Sequence, residues 1–369
     1  PPIIGKEKEY INKVFEKKKF CGDGFFTKKC EKWIEENIDT KKALLTGSCT
    51  DALEMCAILS GVGENDEVIM PSYTFVSTAN AFALRKAKIV FVDINPKTMN
   101  IDEKEVEDAI TEKTKAIVVM QYTGTSPDMK KIMQIAEKHN ILVIEDAAQA
   151  IMAKYYNKNL GAIGHLGTYS FHETKNIVCG EGGALLINDE KFIERAEILR
   201  EKGTDRSKFL RGAIDKYSWI DIGSSVLMSE FTAAFLLGQL EKAQLVTNKR
   251  IDLYNRYFNN LNDLSEKSYI ELPQIPEYNT HNAHIFYIKL TDIEQRQELM
   301  DYLKKYNISS VFHYVPLHNT RGGIKYSRTN KKLIHTDNES ARLLRLPMYY
   351  DLTFDEVDYI CNKIARFFI

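Results

Sequence analysis

The chain is expected to fold as an α/β protein. A large three-layer α/β/α domain with a mixed, mostly parallel sheet is followed by a smaller α+β C-terminal domain. Three observations predict this. From about residue 43 to residue 150, short apolar runs alternate with helical patterns, as in successive βα units. The runs are apolar almost throughout, which marks strands covered on both faces. The 369 residues exceed one compact core, and the alternation changes character after residue 250. The expected division is 1–250 and 251–369, with the N-terminal segment 1–40 packed on the smaller domain.

Each element has a local reason. The segment to about Asn37 has helical periodicity on either side of the polar turn Cys21-Gly22-Asp23-Gly24. Ala43-Leu44-Leu45 is a short strand, and Gly47-Ser48-Cys49-Thr50 turns it into a helix that Thr50 or Asp51 can cap. Strands follow at Glu67–Met70, Lys88–Asp93, Ala116–Tyr122 and Ile141–Ile144, with helices at Val76–Arg85, Glu103–Ile110 and Asp128–His139. After a further strand, Ala184–Ile187, and a helix, Glu190–Lys202, the stretch Gly203–Ser218 has loop composition. A long helical pattern from Ser229 to Leu261 links the two domains. The smaller one combines strands at Ala283–Leu290 and Ser309–Tyr314 with helices at Ile293–Tyr306, Glu339–Leu344 and Thr353–Phe368.

Composition excludes several classes. Basic and acidic residues number 50 and 51, a net charge of −1, so no basic surplus points to nucleic acid. No apolar run reaches membrane-spanning length, and the N-terminal stretch has no signal-like apolar core. Six scattered cysteines without a CxxC pair fit free thiols in a reducing cytoplasm rather than a disulfide frame or a metal site.

Chemistry concentrates in Gly167–Gly183, GTYSFHETKNIVCGEGG. Lys175 stands between a strand-like lead-in and a glycine-rich stretch that lets backbone pass close to a bound group. Such a lysine can bond covalently to a carbonyl cofactor or substrate. Its partners lie at expected carboxyl ends of strands, where open α/β sheets bind ligands. Asp146 ends a buried strand, and a carboxylate there stays ionised only if a cation meets it. The Gly47–Thr50 turn opens a helix and offers free N–H groups to an anion. Pyridoxal phosphate (PLP) needs a lysine for its aldehyde, an acid for its ring nitrogen, an anion site for its phosphate and a flat group over its ring. Lys175, Asp146, the Gly47–Thr50 turn with Ser170, and Phe75 or Tyr73 supply them, and Gln149 is placed for the ring hydroxyl. Each also has a structural alternative: Asp146 as a strand-end cap, Phe75 as core, Gln149 as surface.

Thr46–Asp51, Pro71–Ala81 (PSYTFVSTANA), Glu145–Ala150 and Ser170–Gly183 resemble the sugar-nucleotide aminotransferases, PLP enzymes of fold type I. The likeness continues through IGSSVLMS, VFHYVPLH and ESARLLRLP and covers nearly the whole chain. It implies Lys175 as the cofactor-bonding lysine, Asp146 at the pyridine nitrogen, Gln149 at the ring oxygen, Phe75 on the ring, and Ser48, Cys49 and Ser170 at the phosphate. The family often carries Gly-x-Asn-x-Arg after the lysine segment, its Asn reaching the neighbouring subunit's phosphate. Here Ser225 replaces the Asn and Leu227 the Arg. His172, Glu173 and His313 are implied sugar contacts, with Tyr314 and Arg345 as further candidates. The resemblance also implies a homodimer with shared active sites, L-glutamate as amino donor, a dTDP-linked 4-keto-6-deoxy sugar as acceptor, and no metal.

Overall fold

The computed structural model describes residues 2–368. Among the described residues thirteen strands form three sheets. The large one contains β1 (Lys42–Thr46), β2 (Glu67–Pro71), β3 (Lys88–Val92), β4 (Thr114–Met120), β5 (Leu142–Asp146), β8 (Leu166–Ser170), β9 (Gly183–Ile187) and β12 (Ser327–Thr329). Their order is β1-β9-β8-β5-β4-β2-β3-β12. Only β9 runs against its neighbours, β1 and β8. The other pairs are parallel, so β1, β2, β5 and β8 all end at the same edge.

The apolar runs are buried on both sides, as their composition requires. Leu45, Ile69, Ile117, Val143 and Leu186 pack into one core. Their sequence neighbours Leu44, Val68, Met70, Val118, Ile144 and Leu185 pack into the core on the opposite face. This is the period of two that separates the faces of a strand. The helices Cys49–Leu59 and Val76–Ala83 supply buried side chains to that second core.

The N-terminal segment departs from expectation. Its helices, Glu7–Lys17 and Phe25–Ile34, place Val14, Phe26, Cys30 and Ile34 in the first core of the large sheet. Glu230 anchors the second helix from below, accepting hydrogen bonds from the backbone N–H groups of Gly24, Phe26 and Thr27 at 3.1, 2.8 and 2.9 Å. The long helical pattern is two helices, Glu230–Leu240 and Ala243–Glu266, with Lys242 between them outside helical geometry.

The C-terminal residues build a separate core around β11 (Phe286–Lys289) paired with β13 (Leu343–Leu346). Leu253, Tyr257, Phe286, Leu299, Leu344 and Ile360 meet there. The closing helix Phe354–Phe367 starts with a capping box of Thr353 and Glu356. A small sheet, β6 (Lys154–Tyr155), β7 (Lys158–Asn159) and β10 (Asn279–Thr280), bridges the two parts. Two C-terminal expectations change. Ser309–Tyr314 is no strand: only Val311 bridges, to Arg345, because His313 and Tyr314 turn away to stack on each other at 3.8 Å. The helix placed at Glu339–Leu344 is Ile334–Arg342, and the residues after it form β13.

Candidate active site

The shared edge of β1, β2, β5 and β8 opens into a cavity of about 480 Å³. Ser48, Cys49, Phe75, Asp146, Gln149, Ser170, His172, Lys175, His313 and Tyr314 all line it. Glu173 does not; it is exposed on the turn before the lysine. Ser225 also lies outside, exposed and bridged to Glu201.

Ser48, rather than Thr50 or Asp51, caps the helix Cys49–Leu59, its Oγ accepting from the Asp51 N–H at 3.1 Å. The Thr50 hydroxyl is also committed, donating to Ser77 Oγ at 2.9 Å. Burial pushes the Cys49 thiol up to about 12, so it stays neutral and presents no charge against an anion at this helix start. The glycine stretch after Lys175 serves the same turn. A Cβ on Gly183 would lie 2.4 Å from the Cys49 nitrogen and the Ser48 carbonyl carbon, so only glycine lets β9 pass behind it.

Asp146 ends β5 fully enclosed. Its Oδ2 accepts from the Thr78 hydroxyl at 2.6 Å and its Oδ1 from the Ala148 N–H at 3.2 Å. No cation pairs with it among the described residues, and burial pushes its pKa up despite those two bonds. Lys175 sits on the turn after β8, its N–H donating to the His172 carbonyl at 2.9 Å. Burial holds its amine below the ordinary lysine range, opposed by Asp146 and reinforced by the charge of Arg345. A cavity that holds a half-buried lysine and a buried carboxylate without a cation suits a group with an aldehyde at one point and a protonated ring nitrogen at another.

The remaining walls are aromatic and polar. Phe75 is 53 % exposed and faces the cavity, whereas Tyr73 is fully buried behind it with its hydroxyl 3.3 Å from that of Tyr122. Phe75 is therefore the side chain available to cover a ring. Gln149 is held at both ends: its Oε1 accepts from the Thr123 N–H at 2.8 Å and its Nε2 donates to the Tyr314 hydroxyl at 2.9 Å. His313 Nδ1 meets the Tyr122 hydroxyl at 2.7 Å, and burial lowers its pKa to about 2, so the ring is neutral. His172 lies nearer the mouth, 3.6 Å from the exposed Glu181.

Sequence reasoning passed over Thr78 and His284. Thr78 is one turn into the helix after the PSYTF segment, and nothing in its spacing marks a hydroxyl aimed at Asp146. His284 stands in an apolar run two residues ahead of β11. Its Nδ1 meets Asn176 Oδ1 at 3.0 Å, while Asn176 Nδ2 donates to the Asn282 carbonyl at 2.9 Å. The residue next to Lys175 is thereby clamped to the C-terminal part.

A half-buried lysine and an enclosed carboxylate at the carboxyl edge of a mostly parallel sheet, with a helix start for a phosphate, define a PLP-dependent aminotransferase of fold type I. The chain belongs to the DegT/DnrJ/EryC1/StrS aminotransferase family, whose model matches residues 1–365. It is 34% identical to an uncharacterised protein of Methanocaldococcus jannaschii, over 99% of this chain and 96% of that one. It is 30% identical to a GDP-perosamine synthase of Escherichia coli, over 100% and 97%. Among solved structures, a DegT/DnrJ/EryC1/StrS aminotransferase from Brucella abortus superposes with a TM-score of 0.90 at 29% identity, covering 98% of this chain and 95% of that chain. No helix among the described residues is long and apolar enough to cross a membrane.

Proposed function

We propose that this chain moves the amino group of L-glutamate to the 4-keto group of dTDP-4-dehydro-6-deoxy-D-glucose, giving dTDP-4-amino-4,6-dideoxy-D-galactose for a surface polysaccharide. The observation that carries the aminotransferase chemistry is that Lys175 and the enclosed Asp146, which no cation pairs among the described residues, line one cavity. The dTDP-sugar acceptor rests on the sequence resemblance over nearly the whole chain, and the galacto product on that resemblance alone.

When bound, PLP carries the amino group between the two substrates and draws carbanion electrons into its ring. Lys175 would hold the cofactor's aldehyde, and its free amine acts as general base and acid. It takes the α-proton of glutamate in the first half-reaction and delivers a proton to sugar C4 in the second. Its lowered pKa favours the neutral amine that this requires. Asp146 keeps the ring nitrogen protonated. Gln149 holds the ring hydroxyl and Phe75 covers the ring. Ser48, Cys49 and Ser170 hold the phosphate. His172, His313 and Tyr314 line the side left for the sugar, with Glu173 at the rim.

The active unit is a homodimer in the cytoplasm, with Ser225 reaching the partner's phosphate site. The stretch around Ser225 supports this by its exposed apolar side chains: Trp219 is 79 % exposed, and Leu210, Ile220 and Ile222 are exposed beside it. A GDP-linked acceptor is the second reading, favoured by the name of the Escherichia coli relative.

The test is an absorbance spectrum of the PLP-loaded protein. L-glutamate bleaches the yellow band, and dTDP-4-dehydro-6-deoxyglucose restores it. Restoration by the GDP-linked keto sugar alone would select the second reading. Full turnover in Lys175→Ala would end the proposal.

A further inference from the structure

Behind His313 runs a chain of buried hydroxyls that the proposed mechanism does not use. Tyr73 and Tyr122 are fully enclosed. Their hydroxyls lie 3.3 Å apart, and that of Tyr122 meets His313 Nδ1 at 2.7 Å. Burial holds both phenols above their ordinary range, so each keeps its proton. Burial also leaves the His313 ring neutral, with a single N–H. The chain thus carries three protons across two contacts. The Tyr73 hydroxyl meets no other acceptor among the described residues, so it donates to Tyr122. Tyr122 then donates to Nδ1, and the ring proton of His313 sits on Nε2. With Nδ1–H donating instead, one enclosed phenolic proton would have no acceptor, which is unfavourable in a buried site.

The ring is also held in place. It stacks on Tyr314 with centroids 3.8 Å apart and an interplanar angle of 22°. Tyr314 is fixed in turn by Gln149, whose Nε2 donates to its hydroxyl at 2.9 Å. Nε2 of His313 has no protein partner among the described residues, yet it is not sealed from solvent. It lies on the ring edge away from Tyr122, and the ring lines the cavity.

We infer that Tyr73 and Tyr122 are positioning residues that fix His313 as an Nε2–H donor to an oxygen of the sugar-nucleotide acceptor. The inference rests on the proposed function, which puts His313 on the side left for the sugar. A ring that can only donate there accepts a carbonyl or hydroxyl oxygen and disfavours any group without a lone pair to offer. The carboxylates of L-glutamate are better met by cations than by a neutral N–H. The two half-reactions therefore use the chain unequally.

The experiment compares wild type with Tyr73→Phe, Tyr122→Phe and His313→Gln. Nitrogen NMR of protein labelled in its histidine rings reads the tautomer without cofactor or substrate, the His313 signals being those lost in His313→Gln. Wild type shows a neutral ring protonated at Nε2. Tyr73→Phe shows both tautomers in exchange, because Tyr122 can then turn its proton either way. Rapid mixing of the PLP-loaded protein reads the half-reactions. In Tyr122→Phe the dTDP-4-dehydro-6-deoxyglucose concentration for half-maximal return of the visible band rises about tenfold, as for one lost hydrogen bond. The L-glutamate concentration for half-maximal bleaching changes less than about threefold. A wild type without a visible band would refute the PLP reading, and the inference with it, whatever the tautomer. With the band present, a wild-type ring protonated at Nδ1 would overturn the inference alone. So would equal losses toward the keto sugar and L-glutamate in Tyr122→Phe, which packing by itself produces.

Discussion

Replacing Asp146 with Asn separates the chemistry of this carboxylate from its packing. The two side chains have the same shape. Asn can still accept from the Ala148 N–H, now at 3.2 Å, and its amide can donate to the Thr78 hydroxyl, now at 2.6 Å. Thr78 need only turn its proton toward Thr74, whose hydroxyl lies 2.8 Å away. The fold therefore loses no hydrogen bond. What disappears is a buried charge whose pKa is raised in the folded state. The sign follows. A raised carboxylate pKa contributes stability that is present below the unfolded value of 3.8 and lost as pH rises through the folded value. Without PLP, Asp146→Asn melts at or above wild type at pH 7, and the difference closes as pH falls toward 4. With PLP the order reverses, because only the carboxylate pairs with a protonated ring nitrogen. Removing one partner of a buried pair costs about 3–5 kcal/mol. At about 1.36 kcal/mol per factor of ten, the half-reaction with L-glutamate, the proposed donor, slows by about 150- to 5,000-fold. Calorimetry with and without PLP, and stopped-flow bleaching, measure both. A variant that melts lower without PLP, or turns over within tenfold of wild type, would refute the argument.

Further outcomes follow from the same contacts. Thr78→Val strips Asp146 of its 2.6 Å hydrogen bond, and the half-reaction slows by about 10- to 100-fold while the visible band persists; rapid-mixing spectroscopy checks it. Gly183→Ala drives a methyl into the Ser48–Cys49 turn at 2.4 Å; PLP affinity measured by fluorescence titration falls more than the melting temperature. Glu230→Ala leaves three helix-start N–H groups without an acceptor and destabilises by about 3–5 kcal/mol in urea unfolding, with the half-reaction per folded molecule unchanged.

Much of this was legible because two simple codes coincide. Near-continuous apolar runs gave the large sheet, and the residues ending β5 and β8 gave Asp146 and Ser170 at its ligand edge. Lys175 and the Ser48–Cys49 turn followed from chemistry that needs an amine and an anion site together. What stayed hidden depends on three-dimensional contact. Thr78 looks like any helix threonine until Asp146 is placed beside it. The segment 309–314 has strand composition, yet the His313–Tyr314 stack and the Tyr122 hydroxyl draw it into the cavity. The N-terminal helices are amphipathic, and amphipathicity does not say which sheet they cover. From position alone Phe75 and Tyr73 were both candidates and the resemblance chose Phe75; burial agrees, leaving Phe75 exposed and Tyr73 enclosed.

The edge strand β12 has a mechanical consequence. It leaves the C-terminal part, pairs in parallel with β3, and is pinned by Arg328, whose guanidinium grips Glu67 at 2.7 and 2.8 Å. Lys289 reaches across as well, donating to the Pro96 carbonyl. The two halves are thus stitched at a point remote from the helical linker, and a hinge about that linker would have to tear a strand from the sheet. The proposed substrates, an amino acid and a sugar nucleotide, differ in bulk and would then be admitted by rearranging side chains and rim turns. Amide exchange through β12 stays as slow with either substrate present as with neither.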